Sequence, residues 1–362
     1  MARSPDDDPS VLRTAVLLGL LVALTILGSS AVAVALPTVG EELGLDVGGT
    51  AWILAVFSLG ISVATAVFGR VADLVGLRTP LRIGILTFAT GSLVAAAAPS
   101  FPVLLAGRVL QGIGAGAVPV LVIGIIVARL EGARRVRALG TVTAVVSLVS
   151  GSGPLLGGLL ASAGSWRLVL GLPVLALLLL RPVGRLAPTA PAGDPGERLD
   201  LVGAGLTAVL VIGLVLLLQS PSTRVGAPVV AGAAAAMAIA AALLVRHVGR
   251  RPDGFVPVAV VGNRRLLLLA AIGFGLLAAY LGLLLAIPQL LRADRGWDVL
   301  RIGLTMLPAA AAGALASRLT PRLLARAGRD RVLIGLTAAA AGGVLLAAVG
   351  APSPVALVAG LA

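Results

Sequence analysis

The sequence predicts an all-α polytopic membrane protein, and three features lead to that fold class. Hydrophobic residues make up 59% of the 362-residue chain, charged residues make up only 12%, and the mean hydropathy is +1.10. A water-soluble domain of this length needs a far more polar surface. Apolar runs of about 20 residues, the length that crosses a bilayer core as a helix, recur along the chain. These runs do not alternate between polar and apolar residues, so we expect helices rather than the strands of a membrane barrel.

Charged residues and Pro/Gly breaks divide the chain into successive spans. We predict 11 complete transmembrane helices and the start of a twelfth, which begins near Pro354 and is cut off at Ala362. The predicted spans are 14–36, 51–69, 82–98, 101–128, 137–162, 166–181, 200–219, 227–246, 265–288, 301–317 and 331–350. Acidic residues stand where a signal peptide carries its basic segment, so the first run is predicted to be a span.

Arginine placement orients these spans. All 28 basic residues are arginine, and with a cytoplasmic N-terminus 22 of them fall in cytoplasmic segments and five in outer segments. Positive charge accumulates on the cytoplasmic side of membrane proteins. We therefore predict a multi-pass protein of the plasma membrane with its N-terminus in the cytoplasm. The arginines are scattered over short loops and form no single basic patch, so we expect no nucleic-acid partner.

Two similar cytoplasmic segments indicate an internal repeat. GRVADLVGLR at 69–78 and PRLLARAGRD at 321–330 follow the second and the tenth span, eight helices apart. Two copies in the same orientation indicate a parallel repeat, as some transporters have. The spacing exceeds six helices, so two helices would be inserted between the halves.

The predicted organisation places a flexible linker after the sixth span. This linker is rich in Pro, Gly and Ala, as flexible interdomain segments are. The predicted parts are a six-helix bundle at 1–181, a cytoplasmic linker at 182–199, two inserted helices at 200–250 and an incomplete C-terminal half-bundle at 251–362.

Residue content excludes several kinds of site. The chain has no cysteine, which excludes disulfides, thiolate metal sites and cysteine nucleophiles. The single histidine, His247, lies at the end of a span. We favour an interfacial position for it over a metal ligand or proton relay, because a metal site needs further partners. With no catalytic set of His, Asp or Cys, we expect no enzyme activity, no metal and no cofactor.

The segment 69–78 combines two glycines with charged residues. Gly69 and Gly76 allow close helix approach and a tight reversal, while Asp73 can meet a helix N-terminus or a nearby arginine. Arg78 closes the segment. Two interpretations stay open, a charged latch that favours a state closed to the cytoplasm and an ordinary positive-inside loop.

Arg108 is the one basic residue well inside a predicted span. It lies about 10 Å into the fourth helix, and Gln111 and Gly112 share its side. Intramembrane charge is costly and usually faces a pathway, although an arginine at this depth can also snorkel to the interface. We predict that Arg108 and Gln111 face the bundle interior. None of the 15 acidic residues lies in the middle of a span.

The stretch GSGPLLGG at 151–158 lies in the fifth span. Gly153 and Gly157 are four residues apart on one helix face and allow close packing, while Pro154 permits a bend. Gly158 completes the stretch. Static packing and a gating hinge both fit these residues, but a phosphate loop does not, because the stretch lacks lysine.

Taken together, these motifs resemble those of the major facilitator superfamily, in particular its 14-helix drug:proton antiporter branch. The segment at 69–78 is similar to the family's G-x-x-x-D-x-x-G-x-[RK] loop, RVLQGIGAG at 108–116 to its fourth-helix motif, GSGPLLGG to its fifth-helix exporter motif, and SWRLVLGLP at 165–173 to W-R-x-x-F-x-x-N-x-P. The resemblance implies a cytoplasmic gate at Gly69, Asp73, Gly76 and Arg78, a coupling or substrate pathway at Arg108, Gln111 and Gly112, and an exporter motif at Gly153, Pro154, Gly157 and Gly158.

From this resemblance we expect a secondary active transporter that exports small amphiphilic drugs or secondary metabolites by alternating access. Its partners would be a small-molecule substrate and the lipid bilayer, with protons as the candidate coupled ion, and we expect a monomer. The resemblance also implies that the chain is truncated at its C-terminus. The alternative is a truncated, non-transporting membrane remnant or a subunit of a larger assembly.

Overall fold

The structure, a computed structural model, describes residues 9–162, 165–189, 200–251 and 254–275, with isolated residues between 278 and 343. These residues form helices, and no strand occurs among them. The helices are α1 (Pro9–Leu43), α2 (Val47–Val75), α3 (Arg78–Ala96), α4 (Phe101–Arg129), α5 (Gly132–Gly151), α6 (Gly153–Ser162), α7 (Trp166–Gly171), α8 (Ala176–Leu186), α9 (Leu201–Thr223), α10 (Ala227–Arg250) and α11 (Val258–Val261), with a 3₁₀ helix at Leu172–Leu175. Residues 264–275 are also helical.

The first eight predicted spans lie in these ranges, and the structure confirms each as a helix long and apolar enough to cross a membrane. The fifth span comprises α5 and α6, and the sixth runs from Trp166 to Leu186 through α7, the 3₁₀ helix and α8. The ninth predicted span is described only in its first part. The predicted spans 301–317 and 331–350 and the twelfth span lie outside the continuously described residues.

Several helices extend farther than the sequence predicts. The first span, predicted to end at Leu36, continues through Pro37 to Leu43. An interior proline removes one backbone hydrogen bond and crowds the preceding turn, and a long packed helix can tolerate this local cost. The second helix reaches Val75 instead of stopping near Gly69. The predicted turn at 69–78 is therefore mostly helix, and the reversal is confined to Gly76 and Leu77.

Two spans are interrupted near a proline. The fifth span breaks at Ser152, two residues before Pro154, and the sixth changes to a 3₁₀ helix that contains Pro173. Proline has no backbone N–H and its ring crowds the preceding turn, so regular helical bonding fails there. Other prolines, such as Pro37 and Pro119, lie inside unbroken helices, so proline alone does not determine where a span is interrupted.

Two compact units divide the described residues. One consists of residues 32–129 and 160–263, and the other of residues 1–31, 130–159 and 264–362. Within the first unit, α4 packs along both α2 and α3. A side chain at Gly112 of α4 would collide with the carbonyl oxygen of Phe57, and one at Gly107 would come within 2.6 Å of the Ala95 backbone nitrogen. These glycines let the helix backbones approach more closely than any side chain would permit.

The two helices predicted as an insertion also belong to this unit. Helix α9 packs against α2 and α10. At one end of α9, the backbone carbonyl of Thr223 lies beside Gly48, and Arg224 lies 3.8 Å from Asp46, the residue that caps α2. Helix α10 leaves large apolar side chains such as Ile239 and Val245 exposed. In a bilayer such side chains face lipid.

Candidate functional site

Helix α4 carries Arg108 into the core of its unit, where the side chain is fully buried. The Nε–H donates to the carbonyl oxygen of Ile53 in α2 at 3.0 Å, and Nη1 donates to Gln111 Oε1 at 2.9 Å. The guanidinium lies over the ring of Phe57, with Cζ 4.0 Å from the ring centroid. A cation with a carbonyl, an amide oxygen and an aromatic face around it is stabilised without requiring a carboxylate.

Gln111 links this arginine to two further helices. Its side-chain nitrogen donates to Ser92 Oγ in α3 at 2.8 Å and to the carbonyl oxygen of Leu170 in α7 at 3.0 Å. Ser92 in turn donates to the Phe88 carbonyl at 2.8 Å. Both amide protons and the amide oxygen of Gln111 are therefore used. The opposite amide orientation would point N–H groups at the guanidinium, so the network fixes which way the amide points.

We call Arg108, Gln111 and Ser92, with their partners Ile53, Phe57 and Leu170, the Arg108 network. It connects α2, α3, α4 and α7 through buried polar contacts. The sequence pointed to Arg108, Gln111 and Gly112 but missed Ser92. A serine beside Gly91 inside an apolar run was the available signal, yet serine occurs often in membrane helices and is not diagnostic alone.

The residues of the predicted cytoplasmic gate are distributed over the end of α2 and the start of α3. Gly69 and Asp73 lie in α2, Gly76 ends that helix with a φ of 80°, and Arg78 begins α3. The carboxylate of Asp73 is about half exposed and lies 3.9 Å from Arg70, one turn earlier in the same helix. The Arg78 backbone N–H donates to the Pro188 carbonyl at 3.2 Å, which ties the segment after α8 to the start of α3.

The fifth-helix motif packs against α1. A side chain at Gly153 would collide with the hydroxyl of Ser30, and one at Gly157 would lie 2.5 Å from the Ala31 carbonyl oxygen. Both glycines therefore permit close contact of α6 with α1. Pro154 and Gly158 lie in the same helix. This geometry serves close packing of α6 on α1.

The tryptophan-arginine pair that begins α7 contacts an acidic residue that the sequence analysis did not select. Trp166 Nε1 donates to Glu42 Oε2 at 2.6 Å, and Arg167 forms an ion pair with the other carboxylate oxygen. Glu42 was assigned to a loop because the first span was predicted to stop before Pro37. The longer α1 brings this carboxylate to α7.

A second acidic residue, Asp200, joins the two inserted helices. It caps α9 by accepting from the Gly203 N–H at 3.0 Å, accepts from the Phe255 N–H at 3.1 Å and lies 2.8 Å from His247 Nε2 of α10. Burial raises the pKa of this carboxyl, but the backbone donors and His247 outweigh burial and lower the pKa to about 2. The described residues contain no group of three or more acidic, histidine or cysteine side chains that could hold a metal ion.

Comparison with known proteins accords with this helical architecture. The sequence pattern of the Major Facilitator Superfamily matches residues 18–362. The multidrug resistance protein Stp of Mycobacterium tuberculosis is 32% identical over 333 residues, which cover 90% of this chain and 61% of Stp. The puromycin resistance protein pur8 of Streptomyces alboniger is 32% identical over 337 residues, which cover 89% of this chain and 65% of pur8. The chain thus spans about three fifths of the length of these relatives.

Two solved structures show the same fold at low sequence identity. The proton:xylose symporter XylE of E. coli has a TM-score of 0.62 at 16% identity, covering 98% of this chain and 78% of XylE. The human organic anion transporter MFSD10 has a TM-score of 0.53 at 20% identity, covering 99% of this chain and 86% of MFSD10. With eight membrane-length helices among its described residues and a family pattern that extends over almost the entire sequence, this chain is a multi-pass membrane protein that belongs to the major facilitator superfamily of transporters and not to a family of enzymes.

Proposed function

We propose that this protein exports small amphiphilic molecules, drugs or secondary metabolites, across the plasma membrane by alternating access and in exchange for protons. The observation that carries the proposal is the similarity to two drug-resistance transporters over about 90% of the chain. Both sequences are more than 30% identical to this one.

The Arg108 network supports a role in the transport pathway. A fully buried guanidinium inside an apolar span is costly and is usually retained for a function. Its contacts reach three other helices, so a change at Arg108 would be transmitted to α2, and through Gln111 to α3 and α7. We propose Arg108 and Gln111 as residues of the coupling or substrate pathway, with Gly112 keeping α4 close enough to α2 for these bonds to form.

The two glycine motifs support the proposed alternating access. Around Gly153 and Gly157 the helix is broken at Ser152 and packs closely on α1, which suits a joint between two rigid helical segments. At the other motif, Gly69, Asp73, Gly76 and Arg78 would form the cytoplasmic gate. We assign its latch to contacts of Asp73, whose carboxylate is accessible.

Export can be tested with puromycin, the compound for which one relative is named. The chain is expressed in cells that lack their own efflux pumps, and intracellular puromycin is measured. We expect lower accumulation with the native chain and a return toward the pump-free level with Arg108→Ala. The matched control is Arg134→Ala, because Arg134 is an exposed arginine at the start of α5. Membrane levels of all variants are compared by immunoblot.

Each outcome of this experiment decides between the candidate functions. If cells with Arg108→Ala accumulate as little puromycin as cells with the native chain, at equal membrane levels of the two proteins, the proposed role of Arg108 is contradicted. If the native chain reaches the membrane and does not lower accumulation of puromycin or of a lipophilic cationic dye, the proposal that this chain is an exporter is wrong. The alternative, a subunit completed by another chain or a remnant without transport, then replaces it.

Proton exchange is tested in inside-out vesicles, whose lumen corresponds to the cell exterior. An acidic lumen should drive puromycin uptake as protons leave, and an ionophore that collapses the pH difference should abolish the uptake. Uptake of equal rate with and without the pH difference would show transport that is not coupled to protons.

A further inference from the structure

The motif at the start of α7 has no part in the proposed transport pathway, yet it contains the largest fully buried side chain of the described residues, Trp166. Its indole N–H donates to Glu42 Oε2 at 2.6 Å. Arg167 pairs with the other oxygen of the same carboxylate, and its guanidinium lies 4.2 Å from the centroid of the Trp166 ring. One carboxylate at the end of α1 thus receives donors from both residues of the motif.

The same arginine reaches a third segment. Arg167 Nη2 donates to the carbonyl oxygen of Ala98, in the turn between α3 and α4, at 3.3 Å. Ser165 caps α7 by accepting from the Arg167 backbone N–H at 3.1 Å. This cap fixes the residue at which α7 begins, and with it the position of Arg167. The end of α1, the α3–α4 turn and the start of α7 are therefore joined through Arg167.

We propose that Glu42, Trp166 and Arg167 form a proton-releasable clasp that holds the end of α1 against the α3–α4 turn and α7. We call it the Glu42 clasp. Charge-assisted hydrogen bonds are about twice as strong as neutral ones, so the carboxylate is held while it is ionised. Protonation removes the negative charge that Arg167 pairs with, and the attraction between α1 and α7 falls to that of neutral groups.

The charges around Glu42 favour this assignment. Arg167 is the cation that contacts it in the described part of the chain, and the α3–α4 turn contributes a carbonyl. The neighbouring carboxylate Glu41 is exposed. Asp46, which begins α2, accepts from the Gly49 N–H and lies near Arg224, so it already has partners of its own. With about half of its side chain exposed, Glu42 can exchange a proton with water.

This inference goes beyond the proposed function, because it depends neither on the substrate nor on the driving force. In the predicted orientation, the clasp lies at the outer end of the helices that it joins. Its release would free the end of α1, the helix against which the fifth-helix motif packs.

Trp166 reports directly on the clasp, so the test is optical. The native tryptophans are reduced to Trp166 by Trp52→Phe and Trp297→Phe, and the chain is placed in lipid nanodiscs. Emission and acrylamide quenching are followed from pH 7 to pH 2.5, a scan that includes the whole range of about 3 to 5 in which carboxylates titrate. We expect quenching to rise and the emission to shift as pH falls. Glu42→Gln should show the acid-like signal already at pH 7 and no titration.

Matched variants keep the test decisive. Glu41→Gln removes a carboxylate one residue away and should titrate as the parent does. Arg167→Gln, which removes the cation instead, should raise quenching at pH 7 and serves if Glu42→Gln does not fold. The clasp is overturned if the parent signal is flat from pH 7 to pH 2.5, if Glu42→Gln titrates like the parent, or if Arg167→Gln leaves the pH 7 signal unchanged. Puromycin efflux is measured separately, so failure of export and failure of the clasp are distinguishable.

Discussion

Gln111 holds Arg108 in a buried position because its single amide satisfies three partners at once. It accepts from the guanidinium and donates to Ser92 and Leu170. Removing it leaves a buried charge with one acceptor fewer and a buried carbonyl without its donor. Such losses are far more costly than the removal of an exposed amide.

We therefore expect Gln111→Leu to lower the free energy of unfolding by about 2–4 kcal/mol. The measurement is thermal unfolding in detergent followed by circular dichroism. Gln219→Leu is the matched control, because it removes the same side-chain amide from α9, at a position outside the Arg108 network. Equal unfolding temperatures for the two variants would contradict a structural role for the network.

Asp200 makes stability depend on pH in a defined direction. Its folded-state pKa of about 2 lies below the usual carboxyl value, so the folded state favours the ionised form. The resulting stability is fully present above about pH 4 and is lost as pH falls from about 4 toward 2. A shift of this size corresponds to about 2 kcal/mol at neutral pH.

The corresponding variant is Asp200→Asn. We expect it to unfold at a lower temperature than the native chain at pH 7 and to lose less stability than the native chain between pH 4 and pH 2.5. Asp46→Asn is the control, because Asp46 also caps a helix but is mostly exposed. Parallel pH profiles for Asp200→Asn and the native chain would show that the Asp200 carboxylate is not responsible.

At the scale of helices, glycine determines how closely α4 approaches its neighbours. Gly112 faces the backbone of α2 at Phe57, where no flexible side chain can yield. We expect Gly112→Ala to push α2 and α4 apart and to destabilise the protein by about 1–3 kcal/mol. Thermal unfolding provides the measurement.

A glycine in open surroundings gives the control for that substitution. Nothing lies within 4 Å of a side chain built at Gly232 of α10. Gly232→Ala should be neutral or stabilising by up to about 1 kcal/mol, since alanine is the better helix former. If both substitutions had the same effect, close packing at Gly112 would not be needed for the fold.

The helix ends show where sequence patterns were insufficient. Proline and charged residues suggested that the first span stops at Leu36 and that a turn begins at Gly69, but α1 and α2 continue for six to seven residues more. Local propensity treats Pro37 and the GRVAD segment as breaks. Packing of neighbouring helices compensates for one missing hydrogen bond or a few charged residues, and this compensation is not visible in a local pattern.

At the scale of the whole molecule, the orientation in the membrane is open to direct measurement. The chain has no cysteine, so single cysteines can be introduced without a background. We expect Ser222→Cys, an exposed position in the last turn of α9, to react with a membrane-impermeant maleimide in intact cells. Ala133→Cys, at the start of α5, should react only after the membrane is permeabilised. The reverse pattern would place the N-terminus outside and contradict the arginine argument.

The sequence by itself determined that the protein lies in a lipid bilayer, and it determined the fold class and the number and order of the first eight spans. A run of about 20 apolar residues must be helical in lipid, because its backbone groups have no other hydrogen-bond partners. Four short motifs were enough to suggest the family, because they combine glycines that permit close helix contact, a proline that permits a bend and charged residues that are costly in a bilayer, each at a defined spacing.

Tertiary structure alone decided which polar groups meet. Ser92 and Gln111 are 19 residues apart in sequence, Arg108 and Ile53 are 55 apart, and Glu42 and Trp166 are 124 apart. Each pair joins different helices, so no period within one helix could reveal it. The choice of partners depends on the rotation and depth of each helix in the bundle. These are set by the packing of whole helix faces, and a small rotation would direct Arg108 to other acceptors or separate Glu42 from Arg167.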